Sequence, residues 1–265
     1  IAEFEAWLVH RFSGRMIEVI NMGLSGETVS GLSEEGHAGG KFERPYVHDR
    51  LARVLEKTKP DLVFACYSMN CGIYKPFDED RFAKYREGIV KLHDAVAKAG
   101  ARIIHVTPPT YDASRSSDPV AEYDGVLARY GDWLVSNRAD GWDVLDVHGP
   151  MLKEMERRRT SDPGFTFAPD GVHPDDAGHW FMARQFIAYC GDSKAASAGS
   201  ADDMLGKSAE TLPLVRERMA VMRNAWLTYT GYNHPLIPKG LAMDEAKAKY
   251  RELTKQIAAA VTIAE

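Results

Sequence analysis

Asp61-Leu62-Val63-Phe64-Ala65-Cys66 is an apolar run held between Pro60 and the polar loop Ser68-Met69-Asn70-Cys71-Gly72. A run this short, without alternation and bounded by turn residues, reads as a strand buried on both faces. What flanks it decides the fold. Ahead of it, Tyr46 to Thr58 places Val47, Leu51, Val54 and Leu55 on one helical face, and Pro60 closes that helix. After it, Asp80 to Ala99 carries Phe82, Tyr85, Ile89, Leu92 and Val96 in helical step, with Gly100 as the C-terminal stop. Arg102 to Thr107 repeats the buried strand, a helix follows around Glu122 to Arg138, and Trp142 to Val147 reads as another strand. Upstream, the β-branched run Met16 to Asn21 reads as the first. Four buried strands alternating with amphipathic helices predict a parallel sheet covered on both faces, an open doubly wound α/β fold.

A chain of 265 residues is long enough for one large α/β domain or a domain with an appendage. Apolar residues at 45%, charged residues at 27% and a net charge of −5 describe an ordinary globular composition, with nothing that points to nucleic acid or an anionic membrane surface. Cys66, Cys71 and Cys190 are too few for a disulfide framework and form no Cys-x-x-Cys pair. No apolar run approaches the roughly 18 residues of a membrane span. Residues 1 to 12 put Ile1, Phe4, Trp7, Leu8 and Phe12 at helical spacing, so the chain opens inside a helix and residues are expected ahead of Ile1. The compartment stays open: secreted, periplasmic and cytoplasmic locations fit equally. The α/β domain is expected over residues 1–190, ending on a helix from Asp176 to Cys190. The Ala/Ser/Gly/Asp-rich stretch 191–208 reads as a linker or surface loop. Residues 209–265 read as a helical extension, either folded back on the domain or used in self-association, with Val215, Met219, Met222 and Trp226 on one helix and Ala246, Tyr250, Leu253, Ile257 and Val261 on the other.

The chemistry concentrates in Asp170-Gly171-Val172-His173-Pro174. A carboxylate three residues before a histidine, with glycine between for a tight bend, can fold back onto one imidazole nitrogen and leave the other outward, the wiring of a general base. Pro174 holds His173 extended, and Asp175 or Asp176 caps the next helix. A capped turn with no chemistry, or a metal site using Asp170, His173, Asp175 and His179, are the competing readings; the tight turn suits a carboxylate–imidazole bond better than a metal. In open parallel sheets, sites form beyond the carboxyl ends of the strands. There the Gly/Ser/Thr-rich loop after Asn21 and the Ser68–Gly72 loop should meet the His173 turn.

Three segments taken together resemble the SGNH hydrolases, the GDSL-like lipase/acylhydrolase family. Asn21-Met22-Gly23-Leu24-Ser25-Gly26-Glu27-Thr28, Met69-Asn70 and Asp170-Gly171-Val172-His173-Pro174 are similar to its second, third and fifth sequence blocks, in the right order. The resemblance covers roughly residues 1–190. It implies a flavodoxin-like three-layer α/β/α fold and ester or thioester hydrolysis with no metal or cofactor. It implies that Asp170 orients His173, that His173 is general base and then acid, and that Gly26 and Asn70 donate to the oxyanion through a backbone and a side-chain amide. The family's Gly-Asp-Ser block is absent, which places the expected nucleophile ahead of Ile1. Gly191-Asp192-Ser193 spells that tripeptide but follows a helix and comes after the His173 loop, so it reads as a helix stop; Ser25 lacks the Gly-x-Ser-x-Gly surround of a nucleophile elbow. Two further departures are Ser68, where the family has glycine, and Cys71, where it has aspartate. The expected activity is a serine esterase acting through an acyl-enzyme on a small-molecule ester, with short acyl groups on carbohydrate or small polar alcohols favoured. The alternative is a non-catalytic binding or interaction module on the same scaffold.

Overall fold

The structure, a computed structural model, describes residues 1–15, 17–117, 120–232 and 234–264, with side chains through Val261. Three short strands, β1 (Leu62–Ala65), β2 (Arg102–Val106) and β3 (Asp143–Leu145), form a parallel sheet in the order β1-β2-β3. Leu62 pairs with Arg102 and Ala65 with His105, while Ile104 to Val106 pair with Asp143 to Leu145. β2 has neighbours on both edges and is buried from Ile103 to Val106, as an uninterrupted apolar strand requires. The helices are α1 (Ala2–Arg11), α2 (Leu51–Thr58), α3 (Glu79–Lys98), α4 (Tyr123–Ser136), α5 (His148–Arg159), α6 (Asp176–Tyr189), α7 (Thr211–Tyr229) and α8 (Met243–Ala264), with shorter turns between them. This is the α/β class read from the sequence: a parallel sheet with flanking helices, and helices again at the C-terminal end.

The chain forms two compact units, Leu24–Gly178 and a second made of Ile1–Gly23 with His179–Glu265. In the first, α3 and α4 supply the crossovers that parallel strands require. Asp78 caps α3 by accepting from the Arg81 amide at 2.8 Å, and Gly100, at φ +82, ends it with the Gly100 and Ala101 amides on the Ala97 and Val96 carbonyls. Tyr85, Ile89, Leu127, Tyr130 and Leu134 line the faces these two helices bury. In the second unit, Arg218 on α7 donates to Glu5 on α1 at 2.7 Å and to Thr254 on α8 at 3.0 Å, so one buried guanidinium joins three helices. Burial pushes the Glu5 carboxyl above its ordinary value although Arg218 pulls it back. Residues 191–208 carry the short helices Ser193–Ala196 and Ala201–Leu205. Among the described residues, no helix is long and apolar enough to cross a membrane.

Two expectations need correction. The strand expected over Met16–Asn21 is not formed among the described residues; Met16 lies outside them, and residues 17–21 carry no ladder. A β-branched run becomes a strand only when another backbone pairs with it. Here Ile17 is exposed, while Ile20 and Met22 pack against Met222, Ala225 and Trp226 of α7. Conversely, α5 was not expected, because it buries only Met151 and Met155 beyond its first residue and ends in Arg157-Arg158-Arg159. Two methionines one turn apart are a weak periodic signal.

α3 passes very close to the backbone of the loop around Val29, which lies ahead of α2 in the chain. A Cβ on Gly88 would lie 1.9 Å from the Val29 carbonyl oxygen, and that oxygen is backbone that cannot swing aside. On α4, by contrast, Gly125 is exposed and a Cβ there meets nothing within 4 Å. Gly88→Ala should therefore lower stability by about 1–3 kcal/mol or more through overpacking. Gly125→Ala should raise it by about 0.5–1 kcal/mol through helix propensity. Urea denaturation of the two variants checks the opposite signs.

Candidate active site

Asp170 closes the turn it begins. Its Oδ1 accepts from the Val172 and His173 amides at 2.9 and 2.7 Å, and its Oδ2 faces His173 Nδ1 at 2.7 Å. A carboxylate only accepts, so Nδ1 carries the proton in the neutral ring and Nε2 presents its lone pair, with no partner among the described residues. Both groups stand in the open, with the His173 side chain 84% exposed and that of Asp170 57%. What burial Asp170 has pushes its carboxyl upward, but the His173 amide and ring and the Val172 amide outweigh it and hold the carboxyl at about 2. Asp175 then caps α6, accepting from the Gly178 amide at 2.8 Å.

The turn is braced from β2's side of the sheet. Gly171 has φ +84, and a Cβ there would lie 2.6 Å from the Asp112 carbonyl oxygen, so only glycine fits. The Asp112 amide donates to the Gly171 carbonyl at 2.9 Å. Asp112 itself is fixed by Ser114, whose hydroxyl donates to it at 2.7 Å, and by an ion pair with Arg159 near the end of α5. The unexpected helix thus supports the histidine turn through one aspartate.

Gly26 and Asn70 meet on a second centre. Gly26, at φ +74, occupies the third position of a turn closed by Glu27 N to Leu24 O at 3.2 Å, and its own N–H has no acceptor among the described residues. Asn70 Oδ1 accepts from Arg44 Nη1 at 2.9 Å and from the Tyr74 hydroxyl at 3.2 Å. Arginine has no acceptor, so the oxygen of Asn70 must face it and the NH2 group is turned away, free to donate. Arg44 Nη1 also reaches the Gly26 carbonyl at 3.3 Å. Next to Gly26, Glu27 is buried and takes a two-pronged ion pair from Arg50 at 2.6 and 2.7 Å and the Tyr67 hydroxyl at 2.7 Å. One carboxylate ties this loop to the exit of β1 and the start of α2.

The structure thus joins Asp170 to His173 directly and Gly26 to Asn70 through Arg44. The two pairs approach through Tyr74. Its ring touches Tyr111 beside Asp112, it packs in one apolar cluster with Val172, and its phenol, driven up to about 12 chiefly by burial, also feels the charge of Asp170. Ser68 takes the glycine-like φ of +139 and donates its hydroxyl to Tyr85 at 2.8 Å, so serine keeps a loop shape that suits glycine. Buried Cys71 accepts from the Val29 amide at 3.4 Å and links the two loops. Ser25 is exposed in the Leu24–Glu27 turn. In Gly191-Asp192-Ser193, Asp192 caps a four-residue helix and accepts from Trp7 Nε1 at 3.0 Å. Among the described residues, no three His, Cys, Asp or Glu side chains group as ligands for a metal. Arg44, Glu27 with Arg50, Tyr74 and Asp112 were not read from the sequence. Arg44 reaches Asn70 26 residues on, Glu27 reaches Arg50 23 residues on, and Asp112 holds a turn far along the chain, spacings that no local pattern reports.

The model of the GDSL-like lipase/acylhydrolase family matches residues 2–181. The chain belongs to that family. Membership places it among the carboxylic ester hydrolases, and the ordered blocks around Gly26, Asn70 and His173 are the residues that carried the resemblance. No curated protein is a match for it. Among solved structures, it is similar to a catalytic mutant of Axe2, an acetylxylan esterase from Geobacillus stearothermophilus, at 20% identity over 72% of this chain and 80% of that one, with a TM-score of 0.54. It is also similar to LAE5, an alpha/beta hydrolase enzyme from the metagenome of Lake Arreo, Spain, at 23% identity over 72% and 80%, with a TM-score of 0.52. A gut microbial diltiazem-metabolizing enzyme, BT4096, matches at 21% identity and a TM-score of 0.51, over 71% of this chain but only 42% of its own. At these identities the likeness is one of fold.

Two outcomes are expected of this site. A depressed carboxyl contributes stability that is complete above the ordinary value of 3.8 and is lost as pH falls through the folded value, about 2. The Asp170 side-chain carboxyl carbon should therefore titrate near pH 2 by NMR, while His173→Ala moves its midpoint up toward the ordinary value. Glu27→Gln leaves the buried Arg50 charge without its counter-ion and should lower stability by about 3–5 kcal/mol. Glu154→Gln, whose partner Arg157 is exposed and whose partner Arg158 is only half-buried, should change it by less than about 1 kcal/mol in the same urea titration.

Proposed function

We propose that this family member is a serine esterase of the SGNH type that works through a covalent acyl-enzyme. His173 is the general base and then the acid, and Asp170 orients it. The Gly26 N–H and the Asn70 NH2 stabilise the oxyanion, and a serine ahead of Ile1 supplies the nucleophile. The observation that carries the reading is the arrangement of unused groups. Among the described residues, His173 Nε2, the Gly26 N–H and the Asn70 NH2 meet no partner, while neighbouring atoms of the same residues are held by Asp170 and Arg44.

The steps follow from those atoms. The serine Oγ bonds to the ester carbonyl carbon as its proton passes to His173 Nε2, and the carbonyl oxygen takes the negative charge. Donors already in place stabilise that charge without reorganising, each contributing about 3–4 kcal/mol where removal has been measured in such sites. The tetrahedral species collapses, the bond to the alcohol oxygen breaks, and His173 returns the proton to the leaving alkoxide. Water, deprotonated by the same Nε2, then repeats the sequence on the acyl-enzyme and releases the acid.

Short acyl groups on a carbohydrate or another small polar alcohol are the substrate class we propose. The open imidazole leaves room for an ester carried on a polar alcohol such as a sugar hydroxyl, and acetylxylan is what one similarly folded enzyme acts on.

Hydrolysis of p-nitrophenyl acetate by the full-length protein tests the reading. His173→Ala should lower kcat by about 10³-fold or more, because nucleophile and base act as one unit. Asp170→Asn should lower it by about 10²–10⁴-fold with a smaller change in KM, because the amide stabilises the wrong tautomer. Equal rates for wild type and His173→Ala would remove His173 from the chemistry and leave the non-catalytic reading.

A further inference from the structure

Residues 31–45 form a long connection between the Gly26 loop and α2, and three charged or titratable side chains of that connection face inward. Arg44 is only 6% exposed. Its Nε and Nη2 are both taken by Glu34, at 2.5 and 2.6 Å, and Glu34 in turn receives His37 Nδ1 at 3.1 Å. That two-pronged grip fixes the plane of the guanidinium, and the remaining nitrogen, Nη1, is aimed at the Gly26 carbonyl and Asn70 Oδ1. The ring of Tyr74 lies 5.3 Å beneath the guanidinium carbon, and its hydroxyl supplies the second bond to the same Asn70 oxygen.

The backbone shows that this arrangement is imposed. Ile73 and Tyr74 stand at φ +48 and +52, in the left-handed region that non-glycine residues rarely adopt and that is especially unfavourable for a β-branched residue. The connection is also tied down at its ends. Thr28 N donates to the Pro45 carbonyl at 2.8 Å, Val47 N to the Thr28 carbonyl at 3.1 Å, and Arg44 N to Ser33 Oγ at 3.0 Å.

We propose that Arg44 is a positioning residue of the oxyanion hole: held by Glu34, it locks the Asn70 amide with its NH2 toward the reacting carbonyl and fixes Asn70 to the Gly26 turn. The inference rests on the esterase reading above. A flipped amide would direct its NH2 at a guanidinium, which has no lone pair to accept it, so the flipped state is excluded electrostatically and by hydrogen-bonding capacity. A full positive charge on Oδ1 also draws electron density from the amide and makes its N–H bonds stronger donors. Arg44 touches neither substrate nor nucleophile in this scheme. Its contribution passes through Asn70 and appears as charge develops, in kcat rather than KM.

A double-mutant cycle on the full-length protein with p-nitrophenyl acetate tests this. Arg44→Met should lower kcat by about 10–100-fold with KM within about twofold, a fraction of what loss of a whole oxyanion donor removes. In an Asn70→Ala background the same change should lower kcat by less than about threefold, because the group it acts through is gone. Tyr74→Phe, which keeps the ring and removes one bond to Asn70, should lower kcat by a smaller factor and be similarly masked by Asn70→Ala. Glu34→Gln, which loosens Arg44 without emptying its site, serves if Arg44→Met fails to fold. Equal losses in the presence and absence of Asn70 would overturn the inference, as would an unchanged kcat in Arg44→Met, while leaving the role of His173 intact. The side-chain amide protons of Asn70 give a readout that needs no turnover: Arg44→Met should shift them, and unmoved resonances would overturn the proposal. If they shift while neither wild type nor His173→Ala hydrolyses ester, the hold on Asn70 stands and the esterase reading is what fails.

Discussion

A buried carboxylate, Glu27, sets the terms for the Leu24–Gly178 unit. Its two oxygens take the guanidinium of Arg50 and the phenol of Tyr67, so three segments distant in sequence are held at one point: the Gly26 turn, the residue that leads into α2 and the exit from β1. An ion pair removed from water this completely is not in itself a large gain, because desolvation offsets most of the attraction. Its consequence is specificity of position. Any arrangement that separates the three segments leaves an uncompensated charge in the interior, and the loop bearing Gly26 has little freedom left. The close pass of Gly88 against Val29 removes what remains.

Around that point the sheet supplies one site element from the carboxyl end of each of two strands. The loop leaving β1 carries Asn70, and the loop leaving β2 carries Asp112, which braces the Gly171 turn. Short strands suffice because each has only to deliver a loop. Much of the local conformation there is unfavourable in isolation: Ser68, Ile73 and Tyr74 all stand at positive φ. Such strain persists where hydrogen bonds and packing over-determine it, here through Tyr85, Asn70 and the aromatic contacts of Tyr74 with Tyr111 and Tyr123. The result is a loop whose polar groups have fixed directions, while the His173 imidazole of the neighbouring turn stands open to solvent.

The alternation of buried strand and amphipathic helix was readable because it depends on local periodicity, and β1, β2, β3, α3 and α4 lie where their apolar spacing places them. The Asp170–His173 pair was readable for the same reason, since the bond spans three residues and the glycine between them reports a tight turn. Residues 17–21 misled because their β-branched composition meets the requirement for burial without the requirement for a pairing partner. α5 escaped notice because its buried stripe is two methionines in an otherwise charged segment.

The residue pattern alone was therefore enough for the α/β class, the order of the loops and the bond between Asp170 and His173. Each is encoded within a turn or two of chain, where residue type and spacing translate directly into geometry. The folded chain was needed to show which way the Asn70 amide faces, what holds Gly26 beside it, and why position 88 must be glycine. Those answers lie in Arg44, Glu27 with Arg50, and the backbone of Val29. A hydrogen bond or a van der Waals limit between residues so far apart in the chain leaves no periodic trace, and becomes visible only once the fold has brought its two ends together.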